Sequence, residues 1–89
     1  MKNKDEKKVI SFVTGAKKEF SDQLLRDAVK DIDITELNAD AENAGKYTAI
    51  GSAMAISPTG KNKTYRFETV VEITDGACAF KSIKLELLE

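Results

Sequence analysis

Apolar and charged residues alternate in the last third of the chain, between Lys63 and Leu88. The first arm of this segment reads Tyr65, Arg66, Phe67, Glu68 and then Val71, Glu72, Ile73. A period of two places the apolar side chains on one face of a strand and the charged ones on the other. Asp75-Gly76 follows and supplies the positive φ values of a two-residue hairpin turn. The pattern therefore predicts an antiparallel hairpin with one face buried and one face in water.

The register of this hairpin can be tested by pairing residues outward from the turn. Direct pairing sets Glu68 opposite Ile83 and so mixes the two faces. One extra residue near Phe80 to Ser82 gives complementary partners throughout: Glu68 with Lys84, Arg66 with Glu86, Phe67 with Leu85, Tyr65 with Leu87. Such cross-strand pairs contribute about 0.2–1 kcal/mol each. We therefore predict a β-bulge between Phe80 and Ser82.

The same alternation bears on whether the hairpin aromatics bind nucleic acid. Tyr65 and Phe67 stand beside basic residues, as do the aromatics on which single-stranded bases stack. However, they share a predicted face with Ile83 and Leu85. The alternation favours a place in the core for both rings.

A helical spacing of three to four residues runs from Lys7 to about Lys30. Its stripe comprises Val9, Val13, Ala16, Phe20, Leu24 and Ala28, broadened by Phe12, Leu25, Val29 and Ile32. Gly15 interrupts it at a cost of about 1 kcal/mol in a helix interior. Two alternatives follow: one long helix with a close contact at Gly15, or two helices separated near Thr14-Gly15. Ser21-Asp22 could also cap a helix that begins there.

The centre of the chain predicts one clear strand, Lys46 to Ile56, after a turn at residues 43–45. One face of this strand carries Ile50, Met54 and Ile56, and the other carries the small-residue strip Tyr47, Ala49, Gly51, Ala53 and Ala55. Small side chains allow close approach of another backbone, so the strip is a candidate packing or protein-interaction contact. Residues 31–42 are compatible with either a strand or a loop, because alanine, aspartate and asparagine are poor strand formers.

These elements predict an α+β fold. An N-terminal amphipathic helix, broken or not near Gly15, packs on an antiparallel meander of three to four strands. The order of a helix followed by four strands resembles the cystatin-like arrangement. The Gln-x-Val-x-Gly loop of the cystatin inhibitors is missing, because Val13-Thr14-Gly15 has no glutamine at the required preceding position. The resemblance therefore concerns element order only and does not imply protease inhibition.

Length and charge suggest one domain over residues 1–89, with residues 1–8 as a flexible basic tail. The net charge is −1, but residues 1–20 carry six lysines against three acids. These lysines are the candidate polyanion contacts: Lys2, Lys4, Lys7, Lys8, Lys17 and Lys18. The asymmetry is small beside the single-sign fields of typical nucleic-acid-binding proteins.

The composition argues against catalysis. The chain has no histidine and one cysteine, which leaves no His-dependent nucleophilic site and no cysteine or histidine metal centre within it. The glycine-lysine segments lack the Walker spacing, and no cofactor is expected. We therefore expect a protein that is not an enzyme.

The first functional expectation is a small interaction module that binds another protein or itself. Two alternatives remain: a nucleic-acid-associated domain that uses the lysine-rich N-terminus, and a small-ligand pocket between helix and sheet. No apolar run is long enough for a membrane span or a secretory signal. A cytoplasmic location is expected, unless a signal was removed.

Overall fold

Four antiparallel strands and two short helices make up the part of the chain that the computed structural model describes, residues 4–88. The elements are α1 (Lys4–Thr14), α2 (Lys17–Asp22), β1 (Ala28–Ala39), β2 (Lys46–Ile56), β3 (Asn62–Thr74) and β4 (Ala77–Leu87). The strands lie side by side in chain order. The predicted α+β fold, with helices on an antiparallel meander, is confirmed.

The helical segment is divided at Gly15, as one of the two alternatives predicted. The Gly15 amide closes the last turn of α1 on the Ser11 carbonyl at 3.1 Å, and α2 begins at Lys17. The predicted extension to Lys30 is wrong, because α2 ends at Asp22 and β1 begins at Ala28. Leu25, predicted to broaden the apolar stripe, is instead 95% exposed with a φ of 64°.

Ser21-Asp22 does not start a helix, and the prediction of a cap there is also wrong. These two residues end α2. The Ser21 hydroxyl accepts a hydrogen bond from the Val29 amide at 2.9 Å, so this serine connects α2 to the start of β1. Residues 4–8, predicted to belong to a flexible tail, form the first part of α1, while residues 1–3 lie outside the described range.

Two irregularities in β1 explain the misleading helical spacing. The pairing with β2 shifts between Val29 and Asp31 and again between Ile34 and Glu36. Each shift adds one unpaired residue, so inward-facing residues on either side are three apart instead of two. Because of the first shift, Val29 and Ile32 both face the core and are buried. The open question about residues 31–42 is thus resolved as a strand as far as Ala39, followed by a turn.

The hairpin of β3 and β4 follows the predicted register. Asp75 and Gly76 have φ values of 53° and 80°, the positive values expected of the turn. The pairing shifts between Val70 and Val71, which are opposite Ser82 and Phe80, so Lys81 is the extra residue. The predicted bulge and the four predicted pairs, from Glu68–Lys84 to Tyr65–Leu87, are confirmed.

The core lies between the helices and one face of the sheet. From the helices it contains Val9, Val13, Ala16 and Phe20, which are all buried. The Phe20 ring meets Phe67 of β3 edge-on, with centroids 5.1 Å apart. Tyr65 and Phe67 are buried on this face as predicted. The opposite face of the sheet is the one that carries the charged side chains of the β3–β4 hairpin.

Candidate protein-interaction surfaces

The small-residue strip of β2 lies in the core beneath the helices. Tyr47, Ala49, Ala53 and Ala55 are at most 6% exposed, and Gly51 between them is buried as well. The strip therefore makes the packing contact, the first of its two predicted roles. A partner cannot reach these side chains in the folded chain, so we do not propose the strip as an interaction surface.

Gly51 has a specific reason for its small size. It lies opposite Ile34, beside the second irregularity of β1. A Cβ atom at Gly51 would overlap the Asp33 carbonyl oxygen and lie 2.9 Å from Ile34 Cα. The bulge in β1 thus fits only against a residue without a side chain.

Ala53 and Ala55 leave room for a hydrogen bond that crosses β2. They lie opposite Tyr65 and Lys63 of β3. The Tyr65 hydroxyl donates to Asp27 Oδ2 at 2.7 Å, and Lys63 Nζ lies 3.3 Å from the same oxygen. Asp27 directly precedes β1, so this cluster fastens the segment between α2 and β1 to β3, two strands away.

The electrostatics of this cluster match a structural role. Asp27 is 7% exposed, and the hydrogen bond from Tyr65, with a further contribution from Lys63, lowers its pKa. The same bond raises the pKa of Tyr65, because the carboxylate stabilises the protonated phenol. The sequence did not single out Asp27, since it fell within the apparent helical pattern.

The candidate polyanion lysines that the structure describes are distributed over both helices. Lys2 lies outside the described residues; Lys4, Lys7 and Lys8 begin α1, and Lys17 and Lys18 begin α2. Helix α1 is roughly 15 Å long from Lys4 to Thr14, at 1.5 Å per residue, and α2 begins after it. Lys8 also donates to the Gly76 carbonyl at 3.2 Å, which ties it to the hairpin turn.

A shallow groove lies between α1 and β1. Its volume is about 200 Å³, and it is lined by Ile10, Thr14 and residues 33–37. This is smaller than the roughly 300–1,000 Å³ of pockets that enclose drug-sized molecules. The groove is the counterpart of the ligand pocket considered from the sequence, but at the sheet margin rather than beneath the helices.

The two edge strands of the sheet differ in how they present their backbone. The edge strand β1 carries two register shifts and exposes Asp31, Asp33 and Glu36. Bulges and charges are devices that prevent a further strand from pairing. The other edge strand, β4, has one bulge at Lys81 and then pairs regularly with β3 from Ser82 to Leu87. The second half of β4 also exposes charged side chains, Lys84 and Glu86, but it lacks the register shifts that interrupt β1.

Hydrogen bonds at the strand ends show which backbone groups of β4 are free. The Leu88 amide donates to the Thr64 carbonyl at 2.9 Å, and the Ile73 amide donates to the Gly45 carbonyl at 2.8 Å. Backbone hydrogen bonds alternate between the two sides of a strand in an antiparallel ladder. Since the Leu88 amide points towards β3, the amides and carbonyls of the other even-numbered residues after the bulge point towards β3 as well. The amides and carbonyls of the residues between them point outward: Ile83, Leu85 and Leu87.

The side chains of this segment are also incompletely covered. Phe12 of α1 stacks on Phe80 with ring centroids 4.6 Å apart, so the helix covers the first half of β4. Ile83 and Leu85 are only half-buried, and Leu87 and Leu88 are 51% and 53% exposed. Outward backbone groups and uncovered apolar side chains therefore coincide on residues 82–88, which we call the β4 edge.

Three further features of the described part of the chain concern metal-ligand clusters, the free cysteine and membrane-spanning helices. Residues 4–88 contain no cluster of three or more potential metal ligands. Cys78 is a free thiol of intermediate exposure. No helix among these residues is both long and apolar enough to cross a membrane.

Comparison with protein-family models, with curated proteins and with solved structures found no match. The fold and the surfaces described above therefore carry the functional argument by themselves.

Proposed function

We propose that this protein is a non-catalytic interaction module that binds a protein partner by strand addition at the β4 edge. One observation carries the proposal: from Ser82 to Leu87 an edge strand is regular, unbulged and partly apolar. An extended segment that docks there would gain main-chain hydrogen bonds from the outward amides and carbonyls. The half-exposed leucines would add side-chain contacts.

The contrast with β1 supports this choice of surface. An unprotected edge invites pairing with other chains, and natural proteins usually block it. This chain interrupts β1 with two register shifts, whereas the second half of β4 has none. The absence of histidine and the single cysteine are in keeping with a protein that acts by binding.

Site-specific photocrosslinking in cells that express the full chain tests the proposal. Glu86, exposed on β4, is replaced by p-benzoylphenylalanine, and Asp31, exposed on β1, receives the same replacement as the matched control. We expect a covalent protein adduct from position 86 and none from position 31. Equal adducts from both positions, or none from position 86, would contradict docking at the β4 edge.

A second candidate function, the binding of a small ligand, is favoured by the groove between α1 and β1. Ile10 and Leu37 give it apolar walls, and Thr14 and Glu36 add polar groups. Its small volume ranks it below the β4 edge. Native mass spectrometry of the protein purified from its source tests it, because a bound ligand adds a discrete mass that Ile10→Trp, which fills the groove, should remove.

A further inference from the structure

We infer that the partner at the β4 edge is a second copy of this chain, paired antiparallel about a two-fold axis at Leu85. This inference rests on the proposed function and names its partner. The β4 sequence is self-complementary in this one register.

The side chains of two such strands match. With Leu85 opposite Leu85 of the other copy, Lys84 lies opposite Glu86, and Ile83 lies opposite Leu87. Charged residues then meet charges of opposite sign on one face, and apolar residues meet apolar residues on the other. Opposite-charge and apolar cross-strand pairs are each stabilising, whereas like charges placed opposite are not.

The backbone independently selects the same register. Ile83, Leu85 and Leu87 hold the outward amides and carbonyls, as the Leu88–Thr64 hydrogen bond implies. A two-fold axis at Leu85 pairs these three residues with one another, which gives about six inter-chain hydrogen bonds. An axis one residue away, at Lys84 or Glu86, would place two like charges opposite each other. The backbone amides and carbonyls at its centre would also point towards β3 and not towards the second copy.

The contact would also complete the packing on the helix face of the sheet. Ile83 and Leu85 pack against the core but are only half-buried, and Leu87 is 51% exposed. In the paired arrangement, the corresponding row of the second copy lies beside them. The interface is small, so we expect a dissociation constant in roughly the micromolar range or weaker.

Charge exchange provides the test. In Lys84→Glu, both cross-strand charge pairs of the homodimer become Glu–Glu, and in Glu86→Lys both become Lys–Lys. Each variant alone should dimerise roughly tenfold more weakly than the unaltered chain. An equimolar mixture of the two variants restores opposite charges at both positions, so the heterodimer should form with the original affinity.

Sedimentation velocity over a concentration series measures the dimer, and native mass spectrometry identifies the heterodimer. Lys61→Glu, the same charge change at an exposed turn lysine, is the matched control and should leave dimerisation unchanged. Circular dichroism melting establishes that each variant is folded, because Lys84 and Glu86 also face Glu68 and Arg66 within the chain.

Three results would overturn the inference: a monomer at every concentration, unchanged dimerisation of both variants, or no recovery in the mixture. The proposed function fails separately. If the chain is monomeric but position 86 crosslinks to a different protein, the proposal of strand addition at β4 is retained and the proposal of self-pairing is rejected. If position 86 yields no adduct in cells, the proposed function falls as well.

Discussion

Gly51→Ala provides the sharpest test of how β1 and β2 fit together. The residue lies on the buried face of β2, where β1 bulges towards it. The new methyl group would overlap the Asp33 carbonyl oxygen and lie 2.9 Å from both the Asp33 carbonyl carbon and Ile34 Cα. These are backbone atoms of a paired strand, so no side-chain rotation relieves the overlap.

The expected loss follows from two opposing terms. Overpacking of a well-packed interior costs about 1–3 kcal/mol, and occasionally more. Replacing glycine restricts the unfolded chain and offsets about 0.4–1 kcal/mol of this. Because the obstruction is backbone on a neighbouring strand, we expect the upper part of the range, about 2–3 kcal/mol, to apply, which leaves a net loss of about 1–2.5 kcal/mol. For a domain of this size, each kcal/mol lowers Tm by roughly 4–8 °C.

Urea denaturation followed by circular dichroism measures the free energy of unfolding. Gly15→Ala is the matched control, because its Cβ would lie 3.2 Å from the Ser11 carbonyl oxygen and 4.0 Å from that of Phe12, without overlapping either. We expect this control to remain within about 0.5–1 kcal/mol of the unaltered chain. A Gly51→Ala variant as stable as the Gly15→Ala variant would refute the close approach of β1 to β2.

Tyr65→Phe removes the donor to Asp27 and should lower Tm more than Tyr47→Phe at a second buried tyrosine; equal Tm values would contradict a stabilising bond. The lowered pKa of Asp27 gives stability that is present above its unfolded value of about 3.9 and lost as pH falls through the folded value. The raised pKa of Tyr65 gives stability that is present below about pH 10 and lost as pH rises through the folded value, so Tm values of the unaltered chain and of Tyr65→Phe should converge at both extremes. Deletion of Lys81 removes the bulge but keeps Glu68 opposite Lys84, so this variant should fold. Deletion of Lys84 should be the more destabilising in the same melting assay, because with the bulge retained it turns Leu85 and Leu87 outward and Glu86 inward.

The sequence predicted the hairpin in detail because two independent patterns agree there. Side-chain alternation sets the faces, and charge complementarity between Glu68 and Lys84 sets the register. Only a bulge near Phe80 to Ser82 satisfies both, and Lys81 is that residue. Strand β2 was predicted to its observed bounds, since turn residues precede it at 43–45 and Ser57-Pro58-Thr59-Gly60 follows it.

The segment from Leu24 to Lys30 was mispredicted as helix because bulges change the spacing of apolar residues. Val29 and Ile32 are three apart, as they would be on a helix, yet both face the core from a strand. Periodicity alone does not distinguish these cases. The Asp27 cluster depends on the same misassigned segment, so neither Asp27 nor its link to Tyr65 could be predicted.

The two edges of the sheet together determine what kind of assembly the β4 contact can form. A two-fold contact uses the same strand on both copies, so pairing at Leu85 occupies both β4 edges and leaves two β1 strands at the outside. Each outer strand carries two register shifts and exposed acids, which oppose a further strand. Assembly should therefore end at two copies with a continuous eight-stranded sheet, and sedimentation should detect no larger species at any concentration. Species larger than a dimer would mean that β1 also pairs, against the protection that its bulges provide.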